Sequence, residues 1–451
     1  MAETYVAQRQ DAGGSLVETG SQSKWRWEVD THDGAIQFGC RGEEFACCLG
    51  EPCTLRNLDR VEGKMVSLFR IHLGEDVLED QWVYAHRPIF PRRGRNRQLE
   101  VGSIQDMKHF VVPESSNWPD FMSSTCPGQW VEDPLGPDFE HQTLDFGTDA
   151  EGPAVATLIR YRPAGFRQRL GRKAQGIVLS VHGWSDYFYN RELAVFWHHH
   201  GYHFYALDLR RHGRSLRAEH ALPGYVDDLA DFDEELEATL ELLRKEHPGL
   251  PVVAQGHSTG GLILSLWIAR RQPEIKALVL NAPWLEFQGT AFLRIPIHGL
   301  MEAITRTNPR RKLSGPEFDH YWQSLSTDSH GQWDVHRLWR PRVAFPNTAG
   351  WLKTIFDGHA LVAKGLKLQQ PIFVLTSDRT HIGTTYSPDM QHCDSVLDVQ
   401  QTRLRAMKLG SFVTLSEIPG AMHDVFTSAE PARAAAYRDL SLWLRMVGTA
   451  R

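Results

Sequence analysis

The sequence predicts an α/β domain, a mostly parallel central sheet with helices on both faces, preceded by a front segment of different character. Three observations carry this. From about residue 135 onward, short apolar runs alternate with segments of helical periodicity, the rhythm of strand–helix–strand units. Several of those runs, GIVLSV at 176–181 and PIFVLT at 371–376, are almost continuously apolar, as a strand covered on both faces must be. The 451 residues, 41% hydrophobic and 23% charged, have a globular make-up and the length for a large core, with no internal repeat or low-complexity tract.

The elements follow in order. Before residue 135 the pattern is irregular: short candidate strands at 35–38, 64–73 and 98–104 stand between Gly, Pro and charged residues. Arg92, Arg93, Arg95 and Arg97 read as a solvated basic loop, and 115–136, rich in Pro, Ser and Trp, as a linker. Residues 142–146 and 154–160 form an opening strand pair, and 176–181 the first buried strand. A helix at 191–200 and a strand at 203–207 come next. A long acidic helix at 225–245 carries Leu229, Phe232, Leu236, Leu240 and Leu243 on one face. Strand 251–254, helix 259–271 and strand 277–281 follow. After a long irregular insert come strand 371–376, helix 397–409, strand 412–418 and a closing helix at 431–446. The expected division is an extension with linker at 1–134, a core at 135–284 and 370–451, and a cap or lid insert at 285–369. In sheets of this kind ligands sit at the carboxyl ends of the strands.

Composition excludes several function classes. Lys and Arg number 49 against 55 Asp and Glu, a formal charge of −6, whereas nucleic-acid binding needs a basic footprint. The apolar stretch at 262–269 is far short of the ~18 residues of a spanning helix. Residues 1–15 hold no apolar core of a secretory signal, and six cysteines in this length are no disulfide framework. The expectation is a soluble, cytoplasmic protein with reduced thiols. It leaves room for peripheral contact with lipid and leaves the oligomeric state open.

Gly256-His257-Ser258-Thr259-Gly260 lies between the 251–254 strand and the helix from 259. This is Gly-x-Ser-x-Gly in the strand–turn–helix setting of a nucleophile elbow. The serine sits on a sharp turn, so its neighbours two residues away must be small. Its hydroxyl then projects above the sheet, and the N–H of Thr259 points at a reacting carbonyl. A phosphate loop is excluded, because the lysine of such loops is absent. A serine hydroxyl needs a base. That base should follow the last strand, where His423 stands in Gly420-Ala421-Met422-His423-Asp424. His198, His199 and His200 read as a surface cluster, since consecutive helical residues diverge. The acid that orients the imidazole should lie beyond the 371–376 strand, where Asp378 and Asp394 both qualify by position. In the loop His182-Gly183-Trp184-Ser185-Asp186, Gly183 lets the backbone turn so that the Trp184 N–H joins that of Thr259 around an oxyanion.

Residues from about 135 to 447 resemble the α/β-hydrolase superfamily. Within it they are similar to the monoacylglycerol lipase and serine-aminopeptidase-like branch. Four motifs carry the resemblance: the loop 182–186, Asp208-Leu209-Arg210-Arg211-His212-Gly213-Arg214-Ser215, the Gly-His-Ser-x-Gly-Gly elbow, and Asp394-x-Val-Leu-Asp398. The resemblance implies an α/β-hydrolase fold with a cap over the site, and favours Asp394 over Asp378 as the acid. In that family the acid is reached directly from the strand, whereas here an insert intervenes, and the 208–215 loop reads Arg-Arg-His-Gly where the family has Gly-His-Gly.

The cap segment carries Trp284, Phe287, Phe292, Leu293, Ile295, Trp322, Trp333, Trp339, Trp351 and Phe356, suited to its own small core or to an apolar pocket. Arg310, Arg311 and Lys312 read as solvated surface. Of Cys40, Cys47, Cys48 and Cys53, only Cys48-x4-Cys53 fits the paired spacing of a zinc site, at its upper limit, and the front segment reads instead as a β-rich or partly disordered extension. The expected function is hydrolysis of a small apolar carboxylic ester, monoacylglycerol- or lysophospholipid-like. It would run through an acyl-enzyme on Ser258, His423 and Asp394, with Trp184 and Thr259 as oxyanion donors and no metal or cofactor. An aminopeptidase, lactonase or thioesterase would use the same triad, and a non-catalytic binding module would use the fold alone.

Overall fold

The computed structural model describes residues 127–163, 174–288, 299, 301–313 and 318–448, and before them the backbone of short strands. Contacts divide the chain into two units, Met1–Val101 and Gly102–Arg451. The first holds two four-stranded antiparallel sheets. One runs in the order β1 (Tyr5–Val6), β6 (Cys53–Asn57), β7 (Ser67–Ile71), β8 (Gln81–Tyr84). The other runs β2 (Leu16–Glu18), β3 (Trp27–His32), β4 (Ala35–Cys40), β5 (Glu43–Cys48). In the second, β3 and β4 pair from Trp27 opposite Cys40 to His32 opposite Ala35. Cys40, Cys47 and Cys48 fall in that sheet and Cys53 in the other. The expected strand at 98–104 and the Arg92–Arg97 loop lie outside the described residues.

The second unit is built on nine strands in the order β17-β16-β15-β14-β12-β13-β11-β10-β9. β9 (Val131–Asp133), β10 (Gly136–Asp149) and β11 (Gly152–Tyr161) form an antiparallel flank. β12 (Gly176–Val181), β13 (Tyr202–Asp208), β14 (Val252–His257), β15 (Ala277–Asn281), β16 (Ile372–Ser377) and β17 (Val413–Ile418) run parallel to one another. Every residue of β12, β15 and β16 is buried, which is why those strands read as almost continuously apolar runs. Side chains alternate between two cores. Ile177, Leu179 and Val181 face one, and Val178 faces the other. The first core is closed by α2 (Asp233–Glu246), α3 (Thr259–Arg271) and α5 (Ala349–Lys364) through Leu236, Leu262 and Trp351. The second is closed by α1 (Arg191–His199) and α7 (Glu430–Gly448) through Trp197, Leu440 and Trp443. α4 (His320–Leu325) and α6 (Val399–Ala406) complete the named helices. No helix of the described residues is long and apolar enough to cross a membrane.

Three elements differ from the sequence expectation. The stretch at 115–136 contains β9, because Trp130 lies 3.8 Å under the Arg160 guanidinium and Asp133 is drawn into the interior. The helix expected at 225–245 begins at a 3-10 turn, Leu229–Phe232, where Asp228 and Asp231 cap each other's backbone. The end of the 285–369 insert is α5, a helix of the layer beneath the sheet.

Arg214 is fully buried and explains the 208–215 loop. Its guanidinium donates to both oxygens of Asp133, at 2.7 and 2.9 Å, to Asp208 at 2.8 Å and to the Phe188 carbonyl at 3.0 Å. Burial alone would raise the Asp133 carboxyl, but the Arg214 charge and the hydrogen bonds from His141 and Arg214 together outweigh it and hold the group well below the carboxylate range. Removing one member of such a set leaves the others unpaired, a loss of about 3–5 kcal/mol.

Candidate active site

Ser258 stands between β14 and α3 at φ 50° and ψ −116°, a conformation rare outside glycine. The turn is locked on both sides. The Ser258 N–H donates to the Asn281 carbonyl at 3.0 Å, and its own carbonyl accepts from Gly261 and Trp284, each at 3.0 Å. Two glycines are required by close approach. A Cβ on Gly183 would lie 3.1 Å from the Cβ of Ser258, and one on Gly260 would run into the carbonyls of Val181 and His182. The 182–186 loop therefore rests directly on the elbow. No hydrogen bond of the Trp184 or Thr259 backbone N–H is recorded among the described residues.

His423 follows β17. Its Nε2 is 3.0 Å from Ser258 Oγ and its Nδ1 is 2.9 Å from Asp394 Oδ2. All three residues are buried. The other Asp394 oxygen accepts from the N–H groups of Val396 and Leu397 at 2.8 and 2.7 Å, so the carboxylate is oriented by its own turn. Asp378 remains at the end of β16, where it accepts from the Gly420 N–H at 3.1 Å. The fifteen residues between them fold back through a Thr380–Asp394 bridge, which returns Asp394 to the end of the sheet. Asp398, the last residue of that motif, caps α6 through the N–H groups of Gln400 and Gln401.

A cavity of about 570 Å³ opens over Ser258 and His423. Of the aromatic residues expected in the cap, Trp284, Phe287, Trp322 and Trp351 line it. Trp333 and Trp339 instead pack on Tyr189 and Tyr187, and Phe356 packs on Met301 and Phe287; Phe292, Leu293 and Ile295 lie outside the described residues. Two carboxylates on the wall are engaged by arginines, Asp319 by Arg342 and Asp186 by Arg340. Arg310 pairs with Glu151 away from the cavity. His200 donates from Nδ1 to the Phe196 carbonyl at 2.8 Å and accepts at Nε2 from the Ser441 hydroxyl at 2.8 Å, and the three consecutive histidines do not converge.

Among the described residues, His381, Asp389 and Cys393 bring potential metal-ligand atoms within 4.8 Å of one another. Arg379 already spans both Asp389 oxygens at 3.1 and 2.6 Å, and burial pushes the Cys393 thiol up to about 11. The cluster is better matched to bracing the loop before Asp394 than to holding a cation.

Residues that sequence reasoning missed surround His423. His257 lies with its ring 5.0 Å from that of His423 and its Nδ1 3.6 Å from Asp186. Tyr321 meets the His423 ring edge-on at 5.3 Å. Beneath Trp184, His212 is pushed down to about 3, by burial first and the neighbouring His182 second. Burial likewise lowers His203 and His336 to about 4. The unfolded chain binds these protons near pH 6.5 and the folded chain only near 3–4, so between those values unfolding takes up protons. Stability is thus fully present above pH 6.5 and falls with pH. Thermal melts followed by circular dichroism should give a lower Tm at pH 5 than at pH 7; an equal Tm would contradict this.

A family model for serine aminopeptidase, S33, matches residues 172–430. The chain is 24% identical over 286 residues to a monoacylglycerol lipase of Mycolicibacterium smegmatis, covering 60% of this chain and 88% of that protein. It is 31% identical over 114 residues to the phospholipase YtpA of Bacillus subtilis, 25% of this chain and 42% of that protein. Among solved structures, a soluble variant of monoglyceride lipase from Saccharomyces cerevisiae aligns with TM-score 0.48 and 16% identity over 69% of this chain and 97% of its own. Monoacylglycerol lipase from Paleococcus ferrophilus aligns with TM-score 0.46 and 19% identity over 68% and 99%.

Proposed function

The chain belongs to the serine aminopeptidase S33 family of α/β-hydrolases, and from that premise we propose that it is a serine hydrolase acting on carboxylic esters through an acyl-enzyme. The observation that carries the reading is the run of hydrogen-bonding distances from Ser258 Oγ to His423 Nε2 and from His423 Nδ1 to Asp394, on the floor of a largely apolar cavity. Ser258 Oγ attacks the ester carbonyl carbon while His423 Nε2 takes its proton. Asp394 keeps the imidazole in the tautomer that accepts at Nε2 and stabilises the imidazolium. The N–H groups of Trp184 and Thr259 bind the tetrahedral oxyanion, each worth about 3 kcal/mol of transition-state stabilisation. The N-terminus of α3 adds a favourable dipole there. His423 returns the proton to the departing alcohol, and water then releases the acid by the same steps.

An ester is favoured over a peptide amine because Asp186 and Asp319 are already neutralised by arginine, leaving neither free to hold a substrate ammonium. The lipid-ester names of the two curated relatives and the wall of Trp184, Trp284, Phe287 and Trp351 support an apolar acyl group, monoacylglycerol- or lysophospholipid-like. The test is labelling with a fluorophosphonate probe beside hydrolysis of p-nitrophenyl butyrate and a monoacylglycerol. One equivalent of label with ester turnover is expected. A folded protein that neither labels nor turns over any ester would overturn the reading in favour of a binding module.

A further inference from the structure

The oxyanion loop does not hold itself. Ser185 sits at φ 52°, a strained conformation, and three ties fasten the loop and its continuation to one stretch of the cap. The Arg340 guanidinium pairs with the Asp186 carboxylate, the two side chains being 7% and 5% exposed. The Phe345 N–H donates to Ser185 Oγ at 3.1 Å, and the His336 N–H donates to Tyr187 Oη at 2.9 Å. Phe345 also meets the Trp184 ring edge-on at 6.0 Å. Arg340 has a second arm. Its guanidinium lies 5.1 Å over the Tyr321 ring, and Tyr321 is the side chain that meets His423 edge-on. Burial alone would raise the Asp186 carboxyl, but Arg340 and then His257 outweigh it and hold the group well below the carboxylate range.

We propose that Arg340 is a positioning residue that makes the oxyanion hole depend on the cap: its buried pair with Asp186, backed by the Phe345–Ser185 bond, fixes the Trp184 N–H for catalysis. The inference rests on the hydrolase reading and adds a regulation of that site. With the cap as described, Asp186 is neutralised and the loop is pinned. With the cap withdrawn, Asp186 loses its counter-charge, Ser185 loses the bond that offsets its strain, and Trp184 no longer has a fixed place. The site would then bind esters but turn them over poorly, because an oxyanion donor helps only when it is already in position.

The test uses p-nitrophenyl acetate, an ester too small to span the cavity, with the full-length protein and its Arg340→Met, Arg340→Lys and Ser185→Ala variants. Arg340→Met should lower kcat about 10- to 100-fold with KM within about twofold, and slow fluorophosphonate labelling in parallel. Arg340→Lys, which keeps the charge, should recover most of the loss. Ser185→Ala, which leaves the ion pair intact, should lower kcat about threefold or more at unchanged KM. If Arg340→Met does not fold, as circular dichroism would reveal, Ser185→Ala decides, and a folded Ser185→Ala within twofold of wild type overturns the proposal. A rise in KM at constant kcat, or folded Arg340→Lys and Ser185→Ala variants with Arg340→Met all within twofold of wild type, overturns the proposal. Ser258→Ala assayed alongside separates this from failure of the hydrolase reading, in which wild type and Ser258→Ala would be equally inactive.

Discussion

Ser258→Ala should lose ester hydrolysis by about 10⁶-fold, the scale seen when the nucleophile of such a group is removed, while folding normally. The deleted atom is a single hydroxyl, whose neighbours lose only the His423 contact at 3.0 Å. The strained turn is held by backbone bonds to Asn281, Gly261 and Trp284, which an alanine keeps. The melting curve should therefore stay close to that of wild type while fluorophosphonate labelling disappears. Residual labelling at the wild-type rate would mean that another residue is the nucleophile.

The second large effect falls on the proposed acid. Asp394→Asn should lower kcat by about 10⁴-fold, because an amide at this position can donate to Nδ1 and hold the imidazole in the wrong tautomer. Asp378→Asn should stay within about threefold of wild type. Asp378 serves the Gly420 N–H, a role that an asparagine carbonyl fills equally well. Steady-state kinetics of the two variants side by side gives a direct comparison, and a larger loss in Asp378→Asn would reverse the assignment.

The two carboxylates illustrate what sequence conveys here. Gly-x-Ser-x-Gly is legible because the turn is local: the residues that shape it lie within five positions of one another. β12, β15 and β16 are legible because burial on both faces keeps the runs apolar except for Ser180, Asn281, Thr376 and Ser377 near their ends. Asp394 was separable from Asp378 only by resemblance, since the fold-back that returns it to the sheet is closed by a bridge at Thr380 with no compositional mark. The Arg340–Asp186 pair had no signal at all. Each is an ordinary charged residue in its own segment, and only the folded cap makes them neighbours. The start of the long helix at 225–245 misled for the opposite reason. Apolar spacing continues through the 3-10 turn, and the reciprocal caps of Asp228 and Asp231 are what reset its beginning.

β9 has a consequence for where this unit can be cut. It is three residues long with two exposed side chains, and by size alone it looks dispensable. Yet Asp133 supplies both oxygens that one side of the Arg214 guanidinium is shaped to meet, and Arg214 in turn grips Asp208 and the Phe188 carbonyl. A nick or deletion ending at residue 134 would remove a short edge strand from the outside while stranding a cation on the inside. The smallest fragment that keeps Arg214 fully paired must begin ahead of Val131, and the boundary read from composition near residue 135 falls on the wrong side of that charge.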